Sequence, residues 1–255
     1  MLGSGSQGNC TLIESRETTL LIDAGFSGKE VARRLALIGR KVEDLDLLLV
    51  THEHNDHIAG VGVLSRRCGL PVYANAATHR ACEHRVKKIR RCEFTTGERF
   101  TVRDLQIHPF SISHDTADPV GFVISDGDIS VGYCTDTGII SRLIGYRLQQ
   151  CQGLVLEANH DPEMLASGPY PYPLKQRVRS RQGHLANGDC AAFLRGVCGT
   201  SDLRHVVLAH LSKTNNTPAL VMETMERQLG GMGKTFALHL ADQDAPTELI
   251  TLADR

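Results

Sequence analysis

The sequence predicts an α/β fold, and three observations carry that prediction. Apolar runs of strand length, such as residues 45–50, end in turns rich in histidine and aspartate. Residues 100–133 form a strand-rich middle. From Gly138 onward, segments of helical and of strand character alternate, as they do in layered α/β folds.

Thr11-Leu12-Ile13 and Thr19-Leu20-Leu21-Ile22 read as two short strands, the second closed by Asp23-Ala24-Gly25. Ser27 can cap a helix that runs to Leu37 and stops at Gly39. The buried strand over 45–50 delivers a histidine cluster at its C-terminal end. A helix over 58–68 and a strand over 71–74 follow. In the middle, strands are expected over 105–108, 121–125 and 129–133, with Asp126-Gly127 as a hairpin turn. A helix then reaches Gln150, followed by a strand over 154–156, a helix over 189–197 and a strand over 205–209. A helix over 218–229 and a strand over 235–240 complete the order. Residues 168–182 hold three prolines and read as a loop. No repeat, linker or composition shift divides the 255 residues, so one domain over 1–255 is expected.

Composition narrows the classes. The chain is 41% hydrophobic and 22% charged with a net charge of −1, so no overall basic field announces a polyanion. No stretch approaches the roughly 18–20 apolar residues of a membrane span. Residues 1–6 lack the basic start and apolar run of a secretory signal. Eight scattered cysteines with no C-x-x-C read as reduced core thiols and place the chain in the cytoplasm.

The chemistry concentrates in His52-Glu53-His54-Asn55-Asp56-His57. His52 and His54 leave a strand on one side, while Asp56 and His57 lie in the turn beyond. Imidazoles and carboxylates gathered this closely suit zinc, manganese or iron. Further ligand types follow other apolar strands: His114 after Ser111-Ile112, Asp136 after residues 129–133, and His210 after Val206-Val207-Leu208.

In this order, Asp23, the H-x-H-x-D-H cluster, His114, Asp136 and His210 resemble the metallo-β-lactamase fold superfamily over the entire chain. The resemblance implies an αβ/βα sandwich of two mixed sheets flanked by helices. It implies one metal on His52, His54 and His114, and a second on Asp56, His57 and His210, with Asp136 bridging. Asp23 would orient the histidine loop. Asp136 in the bridging place is unlike the lactamases that carry cysteine there. The segment between Asp136 and His210 leaves no room for an inserted nuclease cap domain. A di-iron redox relative would carry Glu at the place of His54.

Closer still is a resemblance to the YycJ/WalJ (VicX)-like group of small hydrolases regarded as exonucleases. It rests on Gly3-Ser4-Gly5-Ser6-Gln7-Gly8-Asn9, Leu156-Glu157-Ala158-Asn159-His160-Asp161, Gly168-Pro169-Tyr170-Pro171, Leu174-Lys175-Gln176-Arg177, Gly183-His184-Leu185 and residues 208–216. Ala186 stands where that group usually has serine, and only two residues precede Gly3, where most of a first strand is expected.

The resemblance implies a phosphodiesterase acting on nucleic acid, DNA before RNA, through two divalent ions, Zn²⁺ or Mn²⁺ with Fe as a further option. A hydroxide shared by the ions and oriented by Asp56 or Asp136 would attack phosphorus. His184 would protonate the leaving oxygen, as a Gly-His loop histidine does in related tRNA-processing nucleases, with Glu157 orienting it. Ser4, Ser6 and Asn9 on a Gly-rich loop with free amides, and Lys213, Asn215 and Asn216 after His210, would grip substrate. Basic tracts over 80–91 and at Lys175, Arg177, Arg179 and Arg181 suit a phosphate backbone. The competing reading is a hydrolase of a small thioester or cyclic-nucleotide metabolite on the same fold. Oligomeric state stays open.

Overall fold

A computed structural model describes residues 1–199, 201–230 and 236–252. The chain divides into two compact units with interleaved segments. The first takes Met1–Ser111, Thr116–Val120 and Ala241–Leu249; the second takes Ile112–Asp115, Gly121–Leu240 and Ile250–Arg255. The fold is α/β with two mixed sheets and helices beside them.

In the first unit, β1 (Thr11–Glu14) and β2 (Thr19–Ile22) pair antiparallel, with Thr11 opposite Ile22. Next come β3 (Leu47–Leu49), β4 (Pro71–Asn75) and β5 (Arg90–Phe94), each parallel to its neighbour, in the order β1-β2-β3-β4-β5. β3 is Leu-Leu-Leu and wholly buried, as a strand covered on both faces must be. β5, at the sheet edge, exposes Arg90 and Arg91, charges that discourage another strand from pairing there. Helix α1 (Gly28–Leu37) begins where Ser27 Oγ accepts the Glu30 N–H, and it buries Val31 and Leu35 against Leu21, Leu48 and Leu64. Arg34 on that helix is 5% exposed, donates from Nη1 to the carbonyls of Leu2 and Gln243 at 2.9 Å, and lies 3.9 Å over the Phe26 ring. It thereby ties residues far apart in sequence to one core. β6 (Phe100–Val102) and β7 (Leu105–Ser111) form an antiparallel hairpin in the same unit.

The expected helix over 58–68 is two helices, α2 (Asn55–Ile58) and α3 (Val61–Cys68). The break falls at Gly60, whose N–H reaches the Ala24 carbonyl at 2.7 Å and whose Cα lies so close to the Phe26 carbonyl that a side chain would clash. Helix α4 (Ala76–Cys82), capped by Asn75, was not apparent in the sequence.

The second unit repeats the strand plan. β8 (Val120–Ser125) and β9 (Ser130–Cys134) pair antiparallel around Gly127 at φ +105°. β10 (Gly153–Glu157), β11 (His205–Ala209) and β12 (Ala237–Leu240) add in parallel, giving β12-β11-β10-β9-β8. The start of the expected last strand, Thr235, lies outside the described residues. Helices α5 (Arg142–Leu148), α8 (Asn187–Val197) and α9 (Pro218–Leu229) fall where alternation places them. Two more are α6 (Pro162–Ser167) and α7 (Tyr172–Val178), and α7 falls inside residues 168–182, which read as a loop. Proline at the first turn of a helix removes an N–H that would have no partner anyway, so Pro173 sits in the first turn of α7 where it looked like a breaker, and Pro162 opens α6 in the same way.

All eight cysteines are thiols, five of them buried. Among the described residues, no helix is long and apolar enough to cross a membrane.

Candidate metal centre

Three strand ends carry the chemistry, and each bends the same way. Asp23 (φ +59°), Asp136 (+57°) and His210 (+56°) are non-glycine residues in the left-handed region, directly after or within two residues of β2, β9 and β11. Such a backbone is costly for a residue with a Cβ and persists where the surroundings enforce it. Here it turns a carboxylate or an imidazole sharply off the strand.

The first unit gathers Asp23, Thr51, His52, His54, Asp56 and His57. Asp23 is fully buried; Oδ1 accepts the Thr51 N–H at 2.9 Å, and Oδ2 accepts the Thr51 hydroxyl at 2.8 Å and His57 Nδ1 at 2.7 Å. Burial pushes the Asp23 carboxyl above its ordinary range, against the pull of His57 and Thr51. His57 is thus held by Nδ1, with Nε2 on the side of Asp56, 3.6 Å from its Oδ2. The His52 ring packs 4.9 Å from His54 and 4.0 Å from His57, centroid to centroid. Three imidazoles and a carboxylate therefore share one turn, with Asp56 and His57 on the short helix α2. Gly25 makes this possible: a Cβ there would sit 1.7 Å from the Asp56 carbonyl.

Asn9 completes the cluster from the N-terminal loop. Its N–H donates to the Asp56 carbonyl at 2.8 Å, and its Nδ2 lies 3.1 Å from His57 Nε2 and 3.4 Å from Asp56 Oδ2. Asn9 Oδ1 accepts from the Ser4 hydroxyl and the Gly5 N–H. The amides of Ser4, Gly5, Gln7, Gly8 and Asn9 all have partners inside the chain, so this loop is no open anion cradle; of its side chains, Ser6 stays exposed. Glu53, passed over in the sequence, accepts the Ala117 N–H at 2.8 Å and fixes a loop 64 residues away.

In the second unit, donor atoms of Asp136, Glu157, His184 and His210 all lie within 4.8 Å of one another. Glu157 is the hub. Its Oε1 takes His184 Nδ1 at 2.8 Å and His210 Nδ1 at 2.9 Å; its Oε2 accepts the N–H groups of Thr137 and Leu185 at 3.0 and 3.1 Å. Burial alone would raise the Glu157 carboxyl, but His184 and His210 outweigh it and draw it down to about 2. Burial likewise lowers the basicity of His210, yet Asp136, whose Oδ1 is 3.1 Å from Nδ1, and Glu157 lift it to about 10 in the metal-free chain. His114 points Nδ1 at the carbonyls of Gln182 and Gly183, and its Nε2 lies 3.9 Å from Asp136 Oδ1. Beside it, Asp115 holds Arg177 in a two-pronged ion pair at 2.6 and 3.0 Å, which removes that arginine from the basic tract.

Lys213 is exposed after His210. Asn215 and Asn216 are buried: Asn216 Nδ2 donates to the Ala158 and Asn159 carbonyls and exchanges amide hydrogen bonds with Asn187. The Asn216 amide is spent stitching loops near His210, as is that of Asn159, which donates to the His210 carbonyl at 2.8 Å, whereas Asn215 Oδ1 is buried with no hydrogen-bond partner.

The donor chemistry fits a divalent ion. His57, His114 and His210 each have Nδ1 tied to a carboxylate or a backbone carbonyl, the arrangement that fixes the tautomer and leaves Nε2 to ligate. Neutral imidazole and carboxylate donors together suit zinc, manganese or iron.

Comparison with known proteins adds three findings. Residues 18–211 match the family model described as "Beta-lactamase superfamily domain". The chain is 40% identical over 258 residues to a protein named Exodeoxyribonuclease WalJ from Streptococcus pneumoniae serotype 2, covering 98% of this chain and 96% of that one, and 37% identical to Exodeoxyribonuclease YycJ from Bacillus anthracis, covering 98% and 97%. Among solved structures, the metallo-β-lactamase fold protein YhfI from Bacillus subtilis superposes with a TM-score of 0.72 at 18% identity, over 94% of each chain.

Proposed function

The chain belongs to the beta-lactamase superfamily, and from that premise we propose that it is a divalent-metal-dependent exodeoxyribonuclease made as one hydrolase domain over residues 1–255 and working in the cytoplasm. The observation that carries the reading is the Glu157 hub, which sets the His184 imidazole beside His210 and Asp136 and gives it a fixed orientation. A metal-binding scaffold has no use for a second, partly exposed histidine on the same carboxylate; a phosphodiesterase needs one to return a proton to the leaving oxygen.

In this reading the ions number two. His52, His54 and His114 would hold one, and Asp56, His57 and His210 the other, with Asp136 shared. The order of these residues along the chain supports the assignment, as does the donor chemistry of each cluster. Bound there, Zn²⁺ or Mn²⁺ supplies an acidified water and neutralises charge on the phosphate. The chain's own residues do the rest. Asp23 and Thr51 hold His57 in register, Glu157 holds His184 by Nδ1 so that Nε2 carries the proton, and Asp56 orients the attacking water. Lys213, exposed after His210, offers charge to the phosphate backbone. The identity with two exodeoxyribonucleases over nearly the full length supports DNA as the polymer.

The test is direct. Purified chain with Mn²⁺ or Zn²⁺ should shorten end-labelled single- or double-stranded DNA from an end, and RNA more slowly. No shortening by the wild type, or equal shortening by Asp136→Ala, removes the reading.

A further inference from the structure

We propose that a cavity between helices α6 and α7 seats the terminal nucleotide of the DNA strand; this rests on the nuclease reading above. The cavity holds about 310 Å³ and is lined by His160, Leu165, Tyr172, Lys175 and Arg179 among others. That is the lower end of the range for small-molecule sites. A site of that size matches one nucleotide, as the end of a strand would present.

Each part of a nucleotide meets matching chemistry. Tyr172 is 69% exposed, yet its ring is held: Gln176 bonds its hydroxyl, and the Arg179 guanidinium lies 6.0 Å from the ring centroid. An aromatic ring fixed in place with an open face is a platform for a base. Lys175 gives one hydrogen bond to the Ala166 carbonyl at 2.7 Å and Arg179 gives one, from Nε, to Gln176 Oε1 at 2.9 Å. Ammonium and guanidinium each keep further N–H groups for a phosphate. Arg177, their neighbour on the helix, is bound to Asp115, so the tract divides into one structural arginine and a pair of cations on the cavity.

His160 is the independent sign of a ligand. It is 3% exposed, and its Nδ1 is buried with no hydrogen-bond partner, a state that costs free energy unless something else supplies one. Burial lowers its basicity, so the ring is neutral near pH 7 and can both donate to and accept from a sugar or a base edge.

The cavity is joined to the reaction through its walls. The His160 backbone bridges Ala186 and its carbonyl accepts the Asn187 N–H at 3.0 Å, while the His184 backbone N–H donates to the Val178 carbonyl at the end of α7 at 2.8 Å. Gly183 packs so tightly under α7 that a Cβ would meet the Arg177 and Val178 carbonyls at 2.2 Å. The segment bearing His184 is thus held by backbone bonds to both walls, which links the cavity to the proton donor through the chain.

The experiment compares wild type, Tyr172→Ala and Lys175→Gln on linear end-labelled DNA and on bis(4-nitrophenyl) phosphate, a phosphodiester with no nucleotide. The expected result is a fall in kcat/KM on DNA at least 10-fold larger than on the small ester, in both variants. Deoxyadenosine monophosphate should inhibit DNA digestion by wild type and lose at least 10-fold in potency against Tyr172→Ala. Equal losses on the two substrates, or undiminished digestion of DNA by both variants, overturn the proposal. If wild type cleaves the ester and leaves all DNA intact, the nuclease reading fails by itself. Equilibrium dialysis with deoxyadenosine monophosphate then decides the cavity: binding that needs Tyr172 upholds a nucleotide site, and absence of binding overturns it.

Discussion

The two units solve the same problem with different charge. Each buries a carboxylate completely and hangs histidines from it, but Asp23 holds one imidazole and Glu157 holds two. Asp23 is served by a backbone N–H, a hydroxyl and His57; Glu157 by two backbone N–H groups, His184 and His210. The balance tips between them. Burial wins at Asp23, whose carboxyl rises, and partners win at Glu157, whose carboxyl falls to about 2. The second unit therefore holds its carboxylate with partners that outweigh its burial, while in the first burial outweighs the partners.

The largest expected effect breaks the second unit. Glu157→Gln removes the negative charge and exchanges one of the two accepting oxygens for an NH2, so two imidazoles or two amides lose their acceptor, and kcat on DNA should fall by about 10²–10⁴ with KM little changed. If kcat fell no further than in Asp23→Asn, the hub would have no special standing. Asp23→Asn keeps the shape but releases His57 Nδ1. It should weaken metal binding or activity by about 10–100-fold, read by metal titration.

A third test concerns the frame. Arg34→Met leaves the Leu2 and Gln243 carbonyls buried without their donor and should cost about 3 kcal/mol in urea unfolding, with DNA cleavage retained at low temperature. Retained stability would show that the N-terminal loop is held by its own hydrogen bonds.

The smallest effect is in acid, with metal removed. Glu157, lowered in the folded chain, contributes stability above its ordinary value near 4.5 and loses it as pH falls toward about 2. Asp23 is raised, so its ionised form opposes folding above about 3.8, and protonation on acidification relieves that cost. Urea midpoints between pH 5 and 2 should fall less steeply for Glu157→Gln than for wild type, and more steeply for Asp23→Asn. Parallel curves for all three would end the contrast between the units.

Local chemistry was legible in the sequence, and reach was not. The ligand-bearing strand ends could be read because apolar runs and the residues after them are adjacent in the chain. The left-handed turns at Asp23, Asp136 and His210 could not, since no glycine marks them. Helix α7 was hidden by prolines that serve as its start. Asn9, read as a substrate group, lies instead against His57 and Asp56, 48 and 47 residues away, a contact no local pattern encodes. Asn215 and Asn216 followed a ligand and looked available; the fold spends Asn216 on carbonyls some 57 positions back, and buries both. The basic tract at 175–181 was visible as charge, and only the fold separates Arg177, locked to Asp115, from Lys175 and Arg179.

One oxygen atom, Glu157 Oε1, serves two imidazoles at once. Each ring is held where it is by the atom that also holds the other, so His184 and His210 are placed as a pair. The kinetics of a variant at one histidine will therefore report on three side chains together. Loss of one ring will free its sister to move on that oxygen, even where the lost ring takes no part in the chemistry.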